Sequence, residues 1–263
     1  MKRLIAYLAA LLLMLALLAV PAAAATFEDD FKTWEGEWNG AGPLRMKLEG
    51  DTMTLDYRPM FFFSPRLNAT EDEIGRVLEQ CVDGFQAWAG VYDIKGRELT
   101  VAVDVTPERT NNRLAADVKV LPYNSVFASM VPGSLFWSPK RARMSIYIYT
   151  YDTAWAWNTD TAMHEFGHVL GLFDAYGYGG HMLYRQLFGV NLGFLAGFVE
   201  HFLPAAPAER APYSSVMRSR WEIFPTEIEM VLYAWSRGKL QLYTNSVLTL
   251  LGAEVSPAFA CEL

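Results

Sequence analysis

His164 and His168 lie four residues apart, with Glu165 beside the first, in the run HEFGHVLGLFDAY (164–176). On a helix, residues four apart project from one face, so both imidazoles can reach a single ion. Three protein ligands and one water make a catalytic zinc site, in which the pKa of the water falls to about 7. Glu165 can reach such a water without binding the metal. It can take the proton as general base and later pass it to a leaving amine. A surface helix with two solvated histidines would not carry Phe166, Val169, Leu170, Leu172 and Phe173 around them. Histidines buried on such a helix need partners, and a metal ion is the simplest one.

The site needs a third ligand. Gly171 can take a positive φ and turn the chain back beneath the helix. Three residues later, Asp174 offers a carboxylate oxygen that zinc accepts. Two alternatives stay open. His181, in GYGGHM, serves if that glycine-rich loop folds back; a downstream glutamate (Glu200, Glu209 or Glu222) serves if it can approach, although none sits in an obvious second zinc helix. His201, the one remaining histidine, carries no signal of its own. The chain has no G-x-S-x-G nucleophile motif and no phosphate-cradling loop.

The elements that must position these residues can be read from periodicity. DTMTLDYRP (51–59), ELTVAVDV (98–105), RLAADVKVL (113–121) and RMSIYIYTY (143–151) alternate as strands do. The last sets Met144, Ile146 and Ile148 against Tyr147, Tyr149 and Tyr151, a second packed face or a cleft lining. Residues 68–91 have a helical apolar stripe and a capping box formed by Thr70 and Glu73. The zinc-site helix spans 158–173, with Thr159 or Asp160 as N-cap. A third helix over 225–238 has Thr226 and Glu229 as its box and Gly238 at its end. YNSVFASMVPGSLFWSPKR is a long loop, and 26–50 reads as an irregular N-terminal arm. The segment 177–204 is a glycine-rich insert whose apolar middle is too short to span a bilayer.

Composition narrows the function classes. A hydrophobic content of 52% supports a buried core, and a formal charge of −7 without any basic run excludes a nucleic-acid partner. Residues 1–25 have a basic start, an apolar run (4–20) and PAAAA, the layout of a signal peptide cut after Ala24 or Ala25. The expected mature chain is secreted or periplasmic, keeps no membrane span, and has a formal charge of −9 once Lys2 and Arg3 are removed. Cys81 and Cys261 form one bridge in that compartment or stay as two buried thiols.

HEFGHVLGLFD resembles the long zinc signature of the metzincin metallopeptidases, H-E-x-x-H-x-x-G-x-x-H, which ends in Asp in the snapalysin-type bacterial proteases. YSSVMRS (213–219) is similar to the methionine turn of that clan and puts Met217 in the apolar floor beneath the ligands. The order of elements over roughly 50–240 resembles matrixin-like catalytic domains. The resemblance implies an α/β (α+β) fold: a mixed twisted sheet packed on an early helix and a zinc-site helix, then a Met-turn and a C-terminal helix, in a catalytic domain over 51–263. It implies Zn2+ on His164, His168 and Asp174, with Glu165 as base, and cleavage of a protein or peptide substrate. The chain departs from the clan in its insert, in having Ser219 where some families place a tyrosine ligand, and in lacking a cysteine-switch motif. A non-proteolytic zinc-binding or adhesion module on the same fold is the competing expectation.

Overall fold

The computed structural model describes residues 27–39, 42–122, 144–148, 156–175, 214–218, 222–243, 249 and 252–258. The first compact unit ends at Trp34. Its described part is one helix, α1 (Phe27–Trp34), on which the rings of Phe31 and Trp34 lie 6.1 Å apart.

The second unit begins with the strands β1 (Gly36–Asn39), β2 (Leu44–Glu49), β3 (Thr52–Tyr57) and β4 (Met60–Phe63). Helix α2 (Glu71–Gln86) follows, then β5 (Gly90–Ile94), β6 (Arg97–Val105), β7 (Glu108–Arg109), β8 (Val118–Pro122) and β9 (Met144–Ile148). The remaining elements are α3 (Ala156–Leu170), α4 (Pro225–Arg237), β10 (Gln241–Leu242) and β11 (Glu254–Val255). Alternation of apolar and polar residues decides the strand faces. Leu44, Met46 and Leu48 of β2, Met53, Leu55 and Tyr57 of β3, and Leu99 and Val101 of β6 are buried.

One ladder runs β1-β2-β3-β6-β5, with β3 and β6 parallel and the other pairs antiparallel; a second runs β7-β4-β8-β9, all parallel. Pro59 and Pro107 separate the two ladders, because a proline has no N–H to donate. Hydrogen bonds carry the pairing past that level, from Thr106 N to Tyr57 O (2.9 Å), Glu108 N to Pro59 O (2.9 Å) and Thr110 N to Phe61 O (2.8 Å). The result is a mixed α/β unit with a mixed sheet and several helices, as expected for an α+β class.

An aromatic cluster locks the helices to this sheet. Tyr57 of β3 stands 5.3 Å from Phe85 of α2 and 5.1 Å from Phe166 of α3, and Phe85 and Phe166 are 5.1 Å apart. The two helices cross at Gly84. A Cβ there would collide with the Thr159 carbonyl oxygen and stand 2.8 Å from Ala162 Cβ. Only glycine permits that approach.

Several expectations are corrected. The stretch 26–50, taken as an irregular arm, contains helix α1 (Phe27–Trp34) and strands β1 (Gly36–Asn39) and β2 (Leu44–Glu49). The helix expected over 68–91 stops at Gln86, and Gly90–Ile94 becomes a strand whose hairpin turn uses Lys95 (φ 55°) and Gly96 (φ 85°). The strand expected over 113–121 begins at Val118, because Asn112 accepts from Leu114 N (3.0 Å) and holds 113–115 as a turn. α3 starts at Ala156, so Thr159 and Asp160 lie inside the helix rather than ahead of it. α4 has Phe224, not Thr226, as N-cap, and Glu229 pairs with Lys95 at 2.5 Å instead of closing a box. The capping box of Thr70 and Glu73 is present as read. The signal segment, the insert 177–204, Tyr149, Tyr151 and Cys261 lie outside the described residues, as does the side chain of Tyr147 on β9.

Candidate metal centre

Helix α3 sets His164 and His168 on one side with their rings 4.9 Å apart at 84°. The helix ends in a Schellman motif. Gly171 takes a φ of 101°, Leu172 N donates to Gly167 O (3.0 Å) and Gly171 N to His168 O (3.1 Å). The reversal carries the chain back under the histidines. Phe173 N donates to Gln241 O (3.0 Å) and Ala175 N to Met217 O (2.9 Å), so the backbone on both sides of Asp174 is tied down. Asp174 Oδ1 then lies 3.0 Å from His164 Nε2 and 3.3 Å from His168 Nε2.

These three side chains form a buried group whose donor atoms lie within 4.8 Å of one another and could hold a metal ion. Their chemistry fits one. His164 Nδ1 bonds to Val216 O at 2.8 Å, and His168 Nδ1 to Leu172 O at 2.9 Å. A carbonyl oxygen only accepts, so each Nδ1 carries the hydrogen. In the neutral rings both Nε2 atoms therefore turn lone pairs toward a carboxylate oxygen, an arrangement that repels unless a cation or proton lies between.

The proton affinities express the same demand. Burial pushes the His168 pKa down. The Asp174 carboxylate outweighs this, with help from the Glu165 charge and the Leu172 carbonyl, and raises it to about 9. For Asp174, burial pushes up, but the facing His168 and His164 hold the carboxyl well below its ordinary range. Glu165 is also buried, and its charge is felt at His168.

Met217 is buried in the turn 214–218, where Arg218 N donates to Ser215 O (2.9 Å). It lies against Gly167, between the two histidines in sequence; a Cβ on Gly167 would run into the Met217 sulfur and stand 3.0 Å from Trp88 Cζ2. Glu222, one of the alternative ligands, serves this turn instead. It bridges to Ser215, and its carboxylate accepts from Ser214 Oγ at 3.1 Å. His181, His201, Glu200, Glu209 and Ser219 lie outside the described residues. Cys81 is a buried free thiol, its pKa pushed up by burial to about 12, rather than half of a bridge.

Sequence reading missed four contributors. Trp88 Nε1 donates to Met163 O (2.9 Å) and Trp235 Nε1 to Leu170 O (3.0 Å), fixing α3 from two directions. Gly167 carried a faint signal, because a mid-helix glycine is about 1 kcal/mol worse than alanine and needs a reason. Glu227 carried none. Among the described residues, no helix is long and apolar enough to cross a membrane. No family model matches the chain, and comparison with curated proteins and with solved structures finds no match either.

Proposed function

We propose that this chain is an exported zinc-dependent endopeptidase of metzincin type. The observation that carries the reading is the convergence of two Nδ1-tethered histidines on the Asp174 oxygen, with Glu165 on the same helix. Bound zinc would supply the acidity that makes a water nucleophilic at neutral pH and would polarise the scissile carbonyl. His164, His168 and Asp174 would hold it as an N, N, O set, which zinc accepts. Glu165 takes the proton from the water and returns it to the leaving amine. Met217 keeps the floor of the site dry, and Val216 and Leu172 orient the rings through their carbonyls. The signal-like residues 1–25 support export.

The test is zinc content and peptide-library cleavage on the mature chain, beside Glu165→Ala and Asp174→Ala. We expect one zinc per chain in the wild type. Glu165→Ala should keep zinc and lose cleavage by at least about 100-fold, while Asp174→Ala should lose both. Cleavage by Glu165→Ala at the wild-type rate would sink the mechanism. Zinc uptake by the wild type without cleavage of any peptide would favour the non-catalytic binding module.

A further inference from the structure

Behind the centre, a second buried carboxylate gathers three separate chain segments. Glu227, in the first turn of α4, is 1% exposed. Its Oε1 accepts from Ser215 Oγ (2.5 Å), Tyr243 Oη (2.9 Å) and Met217 N (3.4 Å), and its Oε2 from Phe224 N (2.8 Å). Ser215 and Met217 belong to the turn whose Val216 carbonyl holds His164 Nδ1 and whose Met217 carbonyl receives Ala175 N. Tyr243 ends the tail segment whose Gln241 pairs with Gly171 and Phe173, next to Asp174. Two of the three proposed ligands are thus set through segments that Glu227 clamps.

We infer that Glu227 is a positioning residue for the metal centre. It fastens the 214–218 turn and the 240–243 tail to the head of α4, so that His164 and Asp174 meet His168 in ligating geometry. This rests on the zinc reading above. Two of the four groups are backbone N–H groups that only donate, one on each carboxyl oxygen, and the two hydroxyls can turn to suit, so both oxygens must be able to accept. Burying a carboxyl group so completely is costly, and burial raises its pKa against the lowering effect of its hydrogen bonds, so as a mere helix anchor an apolar residue would serve better. The half of a capping box it makes with Phe224 N explains one of its four bonds; the other three point away from the helix, toward the centre's supports. A side chain too short to reach both sets, or an amide that turns one acceptor into a donor, cannot satisfy all four.

The test uses the full-length mature chain, freed of metal and titrated with zinc against a chromophoric chelator. The visible spectrum of the Co2+-substituted protein is the second readout. Glu227→Gln, Tyr243→Phe and Ser215→Ala remove parts of the clamp with little change in volume. Lys95→Met breaks the ion pair to Glu229 on the same helix and serves as the control for plain helix loosening. The zinc Kd should rise about tenfold in Glu227→Gln and roughly fivefold in Tyr243→Phe and Ser215→Ala, with altered Co2+ bands. Lys95→Met should lower Tm while keeping the wild-type Kd and spectrum. Should Glu227→Gln fail to fold, the other two variants keep the carboxylate and decide the matter. The inference is overturned if the clamp variants lose Tm but bind zinc and Co2+ as the wild type does. A wild-type chain that takes up no zinc overturns it together with the functional reading. Zinc uptake without cleavage overturns the peptidase reading alone, because the Kd and spectral comparisons still decide the role of Glu227.

Discussion

Helices α2 and α3 lie side by side and are stabilised in opposite ways. α2 is a local construction. Thr70 Oγ1 accepts from Glu73 N (3.3 Å), Glu73 accepts from Thr70 N (2.7 Å), and one face carrying Val77, Cys81 and Phe85 is buried while much of the other is exposed. α3 is buried without interruption from Thr161 to Leu170, including Thr161, His164, Glu165 and His168. It has no solvent face to balance those polar groups, so distant segments supply partners: Val216 for His164, Trp88 for the Met163 carbonyl and Trp235 for that of Leu170. A helix held by its own sequence tolerates change on its outside. One held by the rest of the fold tolerates little, and it can afford strained polar chemistry for the same reason.

The largest test of this contrast is metal removal followed across pH. The folded His168 pKa, about 9, lies above its ordinary 6.5, so its contribution to stability is complete below pH 6.5 and is lost as pH rises through 9. Asp174 is held below its ordinary 3.8, so its contribution is present above that pH and is lost as pH falls further. Metal-free protein should be most stable between about pH 4 and 6.5 and should lose up to about 3 kcal/mol by pH 10. Urea unfolding of chelator-treated protein measures this. Zinc-loaded protein should lack the alkaline loss, because the ion stands where the proton did. A metal-free profile flat from pH 6 to 10 would mean that the carboxylate and imidazoles do not face each other as described.

Next in size is Gly84→Ala, at the point where the two helices touch. Its Cβ meets backbone atoms of α3, the Thr159 carbonyl oxygen and, at 2.9 Å, Met163 N, which cannot swing aside as a side-chain end could. We expect a loss of about 2 kcal/mol by denaturant titration. The smallest effect has the opposite sign. Gly75, on the exposed side of α2, has nothing within 4 Å of an added Cβ, so Gly75→Ala should stabilise by about 0.5–1 kcal/mol through helix propensity. Equal effects at Gly75 and Gly84 would erase the distinction between a locally built face and a close-packed one.

How much could be read in advance follows the same division. The capping box of α2, the strands β3 and β6, and the Gly238 end of α4 announce themselves by residue type and period. β5 was hidden because Gly90 and Val91 continue an apolar pattern that passes for the end of the preceding helix. β1 and β2 were hidden by the glycines and charges of 36–49, although the Leu44, Met46, Leu48 alternation was there to be counted. The 225–238 helix misled in its detail. Its Thr226 and Glu229 match the box pattern by type, but Pro225 at the first helical position moves the cap to Phe224 and gives the capping carboxylate to Glu227.

Sequence alone determined the chemistry on offer: two imidazoles at helical spacing, a carboxylate beside the first, and a glycine followed by an aspartate where a reversed chain would bring it back. These follow from residue type and from the fixed geometry of a helix, which need no knowledge of distant contacts. Tertiary structure decided that Asp174 meets both histidines, that each Nδ1 is held by a carbonyl, and that Glu227 ties the supporting turn to the tail. The contacts of Asp174 and of His168 Nδ1 wait on the reversal of the chain at Gly171, while those of His164 with Val216 and of Glu227 with Ser215 and Tyr243 join segments that no local period links. They form because buried donors and acceptors must find partners, and only the folded sheet and helices settle which ones come within reach.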